Sequence, residues 1–239
     1  MQILEGEKVT KYFGGLAAVS NVDFHVDQGE VFGLIGPNGA GKTTLFNLIS
    51  GAFVPKSGEI KFKGKKISGL KPYKICRRGV ARTFQDVKIF GNMPAVDNVL
   101  LGSFFGMPKG MSSAAAAKEA TELLDFVGLS VPKMTPAGGL TLVDQKRVGV
   151  ARALATKAEL IMLDEMMAGL TPTETAEAME LVTRIRKRGV TIFMIEHVMK
   201  AIMGVCDRIM VLHHGEKIAD GTPKEIATSK KVIKVYLGE

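Results

Sequence analysis

Gly36-Pro37-Asn38-Gly39-Ala40-Gly41-Lys42-Thr43-Thr44 is the stretch on which the rest of the chain is read. It fits G-x-x-x-x-G-K-[ST], the pattern of a phosphate-binding loop. Glycines at 36, 39 and 41 let the backbone turn tightly and aim its N–H groups inward as an anion nest. Lys42 can reach β- and γ-phosphates, and the Thr43 hydroxyl can bind Mg²⁺. Val31-Phe32-Gly33-Leu34-Ile35 before the loop reads as a short buried strand. Thr44 to Ile49 after it reads as a helix that stops at Gly51. The loop is therefore expected at a helix N-terminus, where the dipole favours phosphate. An ordinary Gly-rich turn is the alternative, and the strand and helix on either side argue against it.

The chain has 239 residues, 46% of them hydrophobic, enough for one large domain with a substantial core. Lys and Arg number 32 against 24 Asp and Glu, a net charge of +8. That balance points to an anionic partner without choosing between nucleotide, nucleic acid and membrane surface. Cys76 and Cys206 lie far apart, match no metal spacing and read as reduced core thiols of a cytosolic protein. Glu5 and Glu7 stand near the N-terminus with no apolar run, so no signal peptide is expected. No window approaches ~18 uninterrupted apolar residues, so no membrane span is expected either.

Around the loop, the first sixty-odd residues read as an antiparallel β layer. Val22, Phe24 and Val26 alternate with Asp23, His25 and Asp27, which leaves His25 as an exposed strand residue. Ile60 and Phe62 alternate likewise before a turn at Lys63-Gly64-Lys65. Residues 56 to 88 hold eleven Lys or Arg against Glu59 and Asp86, either a solvated basic face or a surface toward anionic lipid or a membrane subunit. Residues 86 to 157, rich in Ala, Leu, Met and Gly, read as a helical subdomain inserted into an α/β core. Ala120, Leu123, Leu124 and Val127 there take helical spacing before Gly128. Thr171-Pro172-Thr173-Glu174 and Thr222-Pro223-Lys224-Glu225 are capping boxes, the second opening C-terminal helices over 222–239.

Three further apolar strands end in Gln85, in Asp164-Glu165 and in His197. In an open parallel sheet the carboxyl ends of strands gather at the ligand crevice, so these groups can meet a nucleotide together. Asp164 is the expected partner of Mg²⁺. Glu165 is the expected general base toward an attacking water. His197 can donate to a γ-phosphate, and Gln85 can contact metal and water. Singly, a Gln or His at a strand end is more often a cap or a surface residue.

This set resembles the ATP-binding cassette (ABC) ATPases over nearly the whole chain. Lys42 and Thr43 match the Walker A motif, Leu163-Asp164-Glu165 the end of Walker B, Gln85 the Q-loop and His197 the switch histidine. Phe13 matches the aromatic that stacks on adenine, and Val19 its apolar neighbour. Phe13 to Val19, Ala81-Arg82-Thr83-Phe84-Gln85, Ile195-Glu196-His197 and the tail Tyr236-Leu237-Gly238-Glu239 look like the larger-type ATPase subunits of branched-chain amino acid importers and their relatives for urea, amides and aromatic acids. The resemblance implies a single nucleotide-binding domain over 1–239, with ATP and Mg²⁺ as ligands. It implies a second ATPase subunit as partner, a heterodimer more than a homodimer, permease subunits in the membrane, and a solute-binding protein acting indirectly. Nucleic acid is not among the implied partners, and the expected place is the cytoplasmic face of the cell membrane.

One segment departs from the family. Its signature, Leu-Ser-Gly-Gly-Gln or Leu-Ser-Tyr-Gly-Gln, precedes an Ala-Arg-Ala-Leu run, here Ala151-Arg152-Ala153-Leu154. Counting back gives Leu140-Thr141-Leu142-Val143-Asp144. Thr141 keeps the hydroxyl, Val143 replaces the glycine that admits phosphate, and Asp144 is expected to set a negative charge toward the partner's ATP unless it rotates into solvent or pairs with Lys146 or Arg147. Met166 replaces the usual proline after the catalytic Glu, and Thr171 replaces the Asp or Asn of the D-loop. The rival reading is therefore a non-transport or regulatory ABC protein with weak hydrolysis.

Overall fold

A computed structural model describes residues 1–106 and 112–237, so Gly238 and Glu239 of the quoted tail lie outside the described residues. The chain runs β1 (Gln2–Phe13), β2 (Leu16–Asp27), β3 (Val31–Ile35), α1 (Lys42–Ile49), β4 (Ser57–Phe62), β5 (Lys65–Lys66), α2 (Pro72–Cys76) and β6 (Val80–Arg82). Helices α3 (Ala95–Gly106), α4 (Ser113–Phe126) and α5 (Leu142–Ala155) follow. Then come β7 (Leu160–Asp164), α6 (Pro172–Lys187), β8 (Thr191–Ile195), α7 (Met199–Val205), β9 (Arg208–His213), β10 (Glu216–Gly221), α8 (Pro223–Thr228) and α9 (Lys230–Leu237).

Two sheets form, as the alternation and the apolar runs predict. An antiparallel sheet has the order β2-β1-β4-β5. The second has the order β10-β9-β3-β8-β7-β6, parallel except for the β9-β10 hairpin. Its strands β3, β7 and β8 are buried along their whole length, which is why they read as continuous apolar runs. Their alternate residues serve two cores. Phe32, Leu34, Met162, Phe193 and Ile195 face α1 and the antiparallel sheet. Val31, Ile35, Ile161, Leu163, Ile192 and Met194 face the helices. Phe193 centres the first core, with the rings of Phe32 and Phe46 at 5.0 and 4.9 Å in edge-on contact.

Both capping boxes form as read, at Thr171 and Thr222. Ser112 caps α4, and Gly128 beyond its end takes a left-handed φ of 83°. Two readings need correction. Cys76 is half-buried rather than a core thiol; Cys206 is buried, and burial pushes its thiol pKa up. His25 is not an exposed bystander: Arg208 donates to its Nε2 at 2.6 Å and to its carbonyl. The reason is Arg208 itself, which reaches from β9 to the sheet edge while its guanidinium lies 4.7 Å over the Phe32 ring.

Candidate active site

The phosphate loop is seated by close backbone approaches. Gly41 sits at the N-cap of α1 with φ 101°, and a Cβ there would lie 2.2 Å from the Ala18 carbonyl oxygen. A Cβ at Gly36 would lie 2.2 Å from the Leu212 carbonyl oxygen. Both glycines are thus required where the loop passes β2 and β9. Pro37 is half-buried and Ala40 buried beneath the loop, while Asn38, Gly39 and Thr43 are exposed and Thr44 partly so. Lys42 is buried, and its ammonium donates to the carbonyls of Gly36 at 2.7 Å and Pro37 at 3.0 Å. Burial pulls its pKa down, and the charge of Glu165 partly opposes that.

Because β3, β6, β7 and β8 are parallel, their carboxyl ends share one edge. Gln85, Glu165 and His197 meet there. Gln85 Nε2 donates to Glu165 Oε2 at 2.7 Å, and His197 Nε2 lies 2.7 Å from Glu165 Oε1. The Glu165 backbone is left-handed, φ 49°, a conformation a non-glycine residue keeps only when its surroundings fix it. Its N–H donates to the Ile195 carbonyl at 2.9 Å. Asp164 is buried, and its Oδ2 accepts from Arg82 Nη2 at 2.6 Å. Arg82 Nη1 reaches Asn47 Oδ1 at 2.6 Å and Ser50 Oγ at 3.1 Å, tying β6 and β7 to the end of α1.

The residues suit Mg²⁺ bound along with a nucleotide. Thr43 hydroxyl, Asp164 carboxylate and the Gln85 amide oxygen are hard oxygen donors. Among the described residues no cluster of three or more His, Cys, Asp or Glu could hold a metal alone.

Of the outer groups, Val19 and Asp144 differ from expectation. Phe13 is exposed and packs edge-on against Phe53 at 5.3 Å, with the Lys11 ammonium 5.5 Å from its ring centre. Val19 is fully buried in the core under β2, so it supports that strand from below and offers no surface to a base. In the signature segment, Thr141 caps α5 by accepting from the Asp144 N–H at 3.2 Å. Val143 is half-buried in a cleft beside Met166 and Leu170. Asp144 does not present a free charge. Its carboxylate is buried, accepts from Thr141 Oγ1 at 3.0 Å and pairs with Arg147 at 3.2 Å. An anion in the first turn of a helix with a cation three residues on is neutralised within its own chain.

Three residues of the site went unassigned from sequence. Arg82 is one, though an arginine ending an otherwise apolar strand signals a buried anion nearby. Lys146 of α5 donates to the Ala168 carbonyl at 2.6 Å. Glu196, 1% exposed, accepts from the Met167 N–H at 2.7 Å, and burial pushes its pKa up to about 7.

Comparison with known proteins agrees with this geometry. The ABC transporter family profile matches residues 19–168, and that of the branched-chain amino acid ATP-binding cassette transporters matches residues 216–239. The chain is 42% identical to the high-affinity branched-chain amino acid transport ATP-binding protein BraF of Pseudomonas aeruginosa, over 99% of this chain and 98% of that one. It is 42% identical to LivG of Escherichia coli, described in the same words, over 95% and 94% of the two chains. An ATP-binding cassette of an ABC transporter, solved in its ADP conformation, superposes with a TM-score of 0.89 at 31% identity and full coverage of both chains. The phosphate loop, the shared sheet edge and these likenesses place the chain in the ATP-binding subunits of the ABC transporter family.

Proposed function

We propose that the chain binds ATP with Mg²⁺ and hydrolyses it to drive an importer of branched-chain amino acids or a related small solute. The observation that carries this reading is the Glu165 carboxylate, held from both sides by Gln85 and His197 at the edge where the phosphate loop emerges. Lys42 and the loop N–H groups bind the phosphates. Glu165 accepts the proton of the attacking water. Gln85 and His197 keep its two oxygens aimed, and His197 is the donor we assign to the terminal phosphate once nucleotide is bound. Thr43, Asp164 and Gln85 would hold Mg²⁺, which when bound supplies positive charge to the phosphate oxygens. The similarity to BraF and LivG, both branched-chain amino acid transport ATP-binding proteins, supports an amino acid as the solute. A purely regulatory nucleotide binder leaves the two-sided hold on Glu165 without a use.

A second ATPase subunit completes the arrangement, its own signature meeting ATP on this chain's loop. A solved dimeric cassette with ADP and phosphate, TM-score 0.84 at 26% identity, supports pairing. No helix among the described residues is long and apolar enough to cross a membrane. Separate permease subunits carry the solute. The helical stretch 86–157 acts as a subdomain that receives them. A cavity of about 490 Å³ supports that docking, lined by Tyr73, Phe84, Phe90, Leu101, Phe105 and Arg152 between this stretch and the sheet. The chain then works peripherally, at the cytoplasmic face.

Glu165→Gln is the test. The variant should keep nucleotide affinity and lose ~10²–10⁴-fold in hydrolysis, the usual worth of a general base. Normal turnover by this variant in the assembled complex would overturn the assignment.

A further inference from the structure

The turn Glu165–Ala168 is held from two sides by side chains that the roles above leave unused. From α5, the Lys146 ammonium donates to the Ala168 carbonyl at 2.6 Å and lies 3.4 Å from the Glu165 carbonyl. From the end of β8, Glu196 accepts the Met167 N–H at 2.7 Å. The two groups attract each other electrostatically across the turn. Within it, Ala168 N–H closes onto the Glu165 carbonyl at 3.3 Å. Glu165 holds its left-handed backbone in this frame. Five residues earlier in the chain than Lys146, Thr141 caps the same helix inside the signature segment.

We propose that Lys146 is a positioning residue for Glu165: by gripping the carbonyls at both ends of the turn, it makes the signature helix of this chain set the aim of this chain's own hydrolytic carboxylate. The signature segment serves the partner's nucleotide, so a displacement of α5 there reaches Glu165 here through the Lys146 ammonium, alongside the apolar packing of Val143 and Val150 near Met166. Arg147, the next residue, fixes the same helix to α6 through Glu177 at 2.6 Å, which leaves the Lys146 contact as the arm directed at the turn. The inference rests on the reading of Glu165 as the base.

The test uses the full chain in its transporter complex, with Lys146→Met, Lys146→Arg and Glu165→Gln assayed side by side. Lys146→Met should lower kcat by ~10- to ~100-fold, the scale of a misplaced reacting group. KM for ATP and nucleotide affinity should stay within about twofold, because ground-state binding is untouched. Lys146→Arg, which keeps a cationic donor, should recover part of the rate. A Lys146→Met kcat within about twofold of wild type, or a loss matched by weaker nucleotide binding, overturns the proposal. If Lys146→Met fails to fold, Lys146→Gln is judged by the same two numbers. Normal hydrolysis by Glu165→Gln would instead remove the base assignment, so the two failures are told apart.

Discussion

Replacing Arg82 by Met should cost more stability than any exposed charge in the molecule. The Arg82–Asp164 pair spans 2.6 Å, with side chains 8% and 5% exposed. Met keeps apolar bulk between the rings of Phe46 and Phe84, which lie 5.6 and 5.2 Å from the guanidinium carbon. It leaves the Asp164 carboxylate buried without its cation and frees Asn47 and Ser50 at the end of α1. Breaking one side of a buried pair costs about 3–5 kcal/mol. For a chain of this length each kcal/mol moves Tm by ~2–4 °C, so the expected fall is about 6–20 °C. Urea and thermal melts of the full chain measure it. The double variant Arg82→Met with Asp164→Asn should recover part of the loss, since no carboxylate is left unpaired. A single-variant loss under ~1 kcal/mol, the value of a surface pair, would refute the reasoning. So would strict additivity in the cycle.

Glu196→Gln should remove a pH-dependent cost. The raised pKa means the native state prefers the protonated carboxyl, so its contribution is full below the ordinary 4.5 and lost as pH climbs through about 7. Lys146, Glu165, His197 and Cys206 are the titratable groups around it. At ~1.4 kcal/mol per pH unit the variant should gain about 2–3 kcal/mol on wild type between pH 5 and pH 8; a pH-independent gap would refute this. Val143→Gly should raise ATPase activity of the purified chain alone, because the signature backbone can then approach phosphate, at ~1 kcal/mol of helix stability. Unchanged turnover would mean Val143 bulk is tolerated. Lys42→Ala should weaken Mg-ATP binding in a titration, and equal affinity would sink the loop assignment.

What was legible in the sequence is what parallel topology and local chemistry force. The phosphate loop, the two-faced strands and the capping boxes each carry a pattern within ten residues. Gln85, Glu165 and His197 were readable as a set because parallel strands must end together. His25 and Arg82 were not legible because their partners lie far away in sequence. His25 is engaged by Arg208, 183 residues on. Arg82 meets Asp164 82 residues on. For Asp144 the spacing offers Arg147 as one possible pair, and only the fold shows that the carboxylate turns inward to make it. Val19 matched a motif position whose exposure only the packed sheet decides.

The alternating faces of β3, β7 and β8 also govern which changes in length this chain can survive. Deleting one residue from β7 would exchange every side chain between the two cores, sending Met162 where Leu163 belongs. Deleting two would restore the faces but draw the carboxyl end back by ~6.6 Å along the strand. Glu165 reaches both Gln85 and His197 at 2.7 Å, so it could not make up that distance. Packing forbids odd indels and chemistry forbids even ones. Insertions accumulated over evolutionary time are therefore expected in the connections away from this edge and not within the strands.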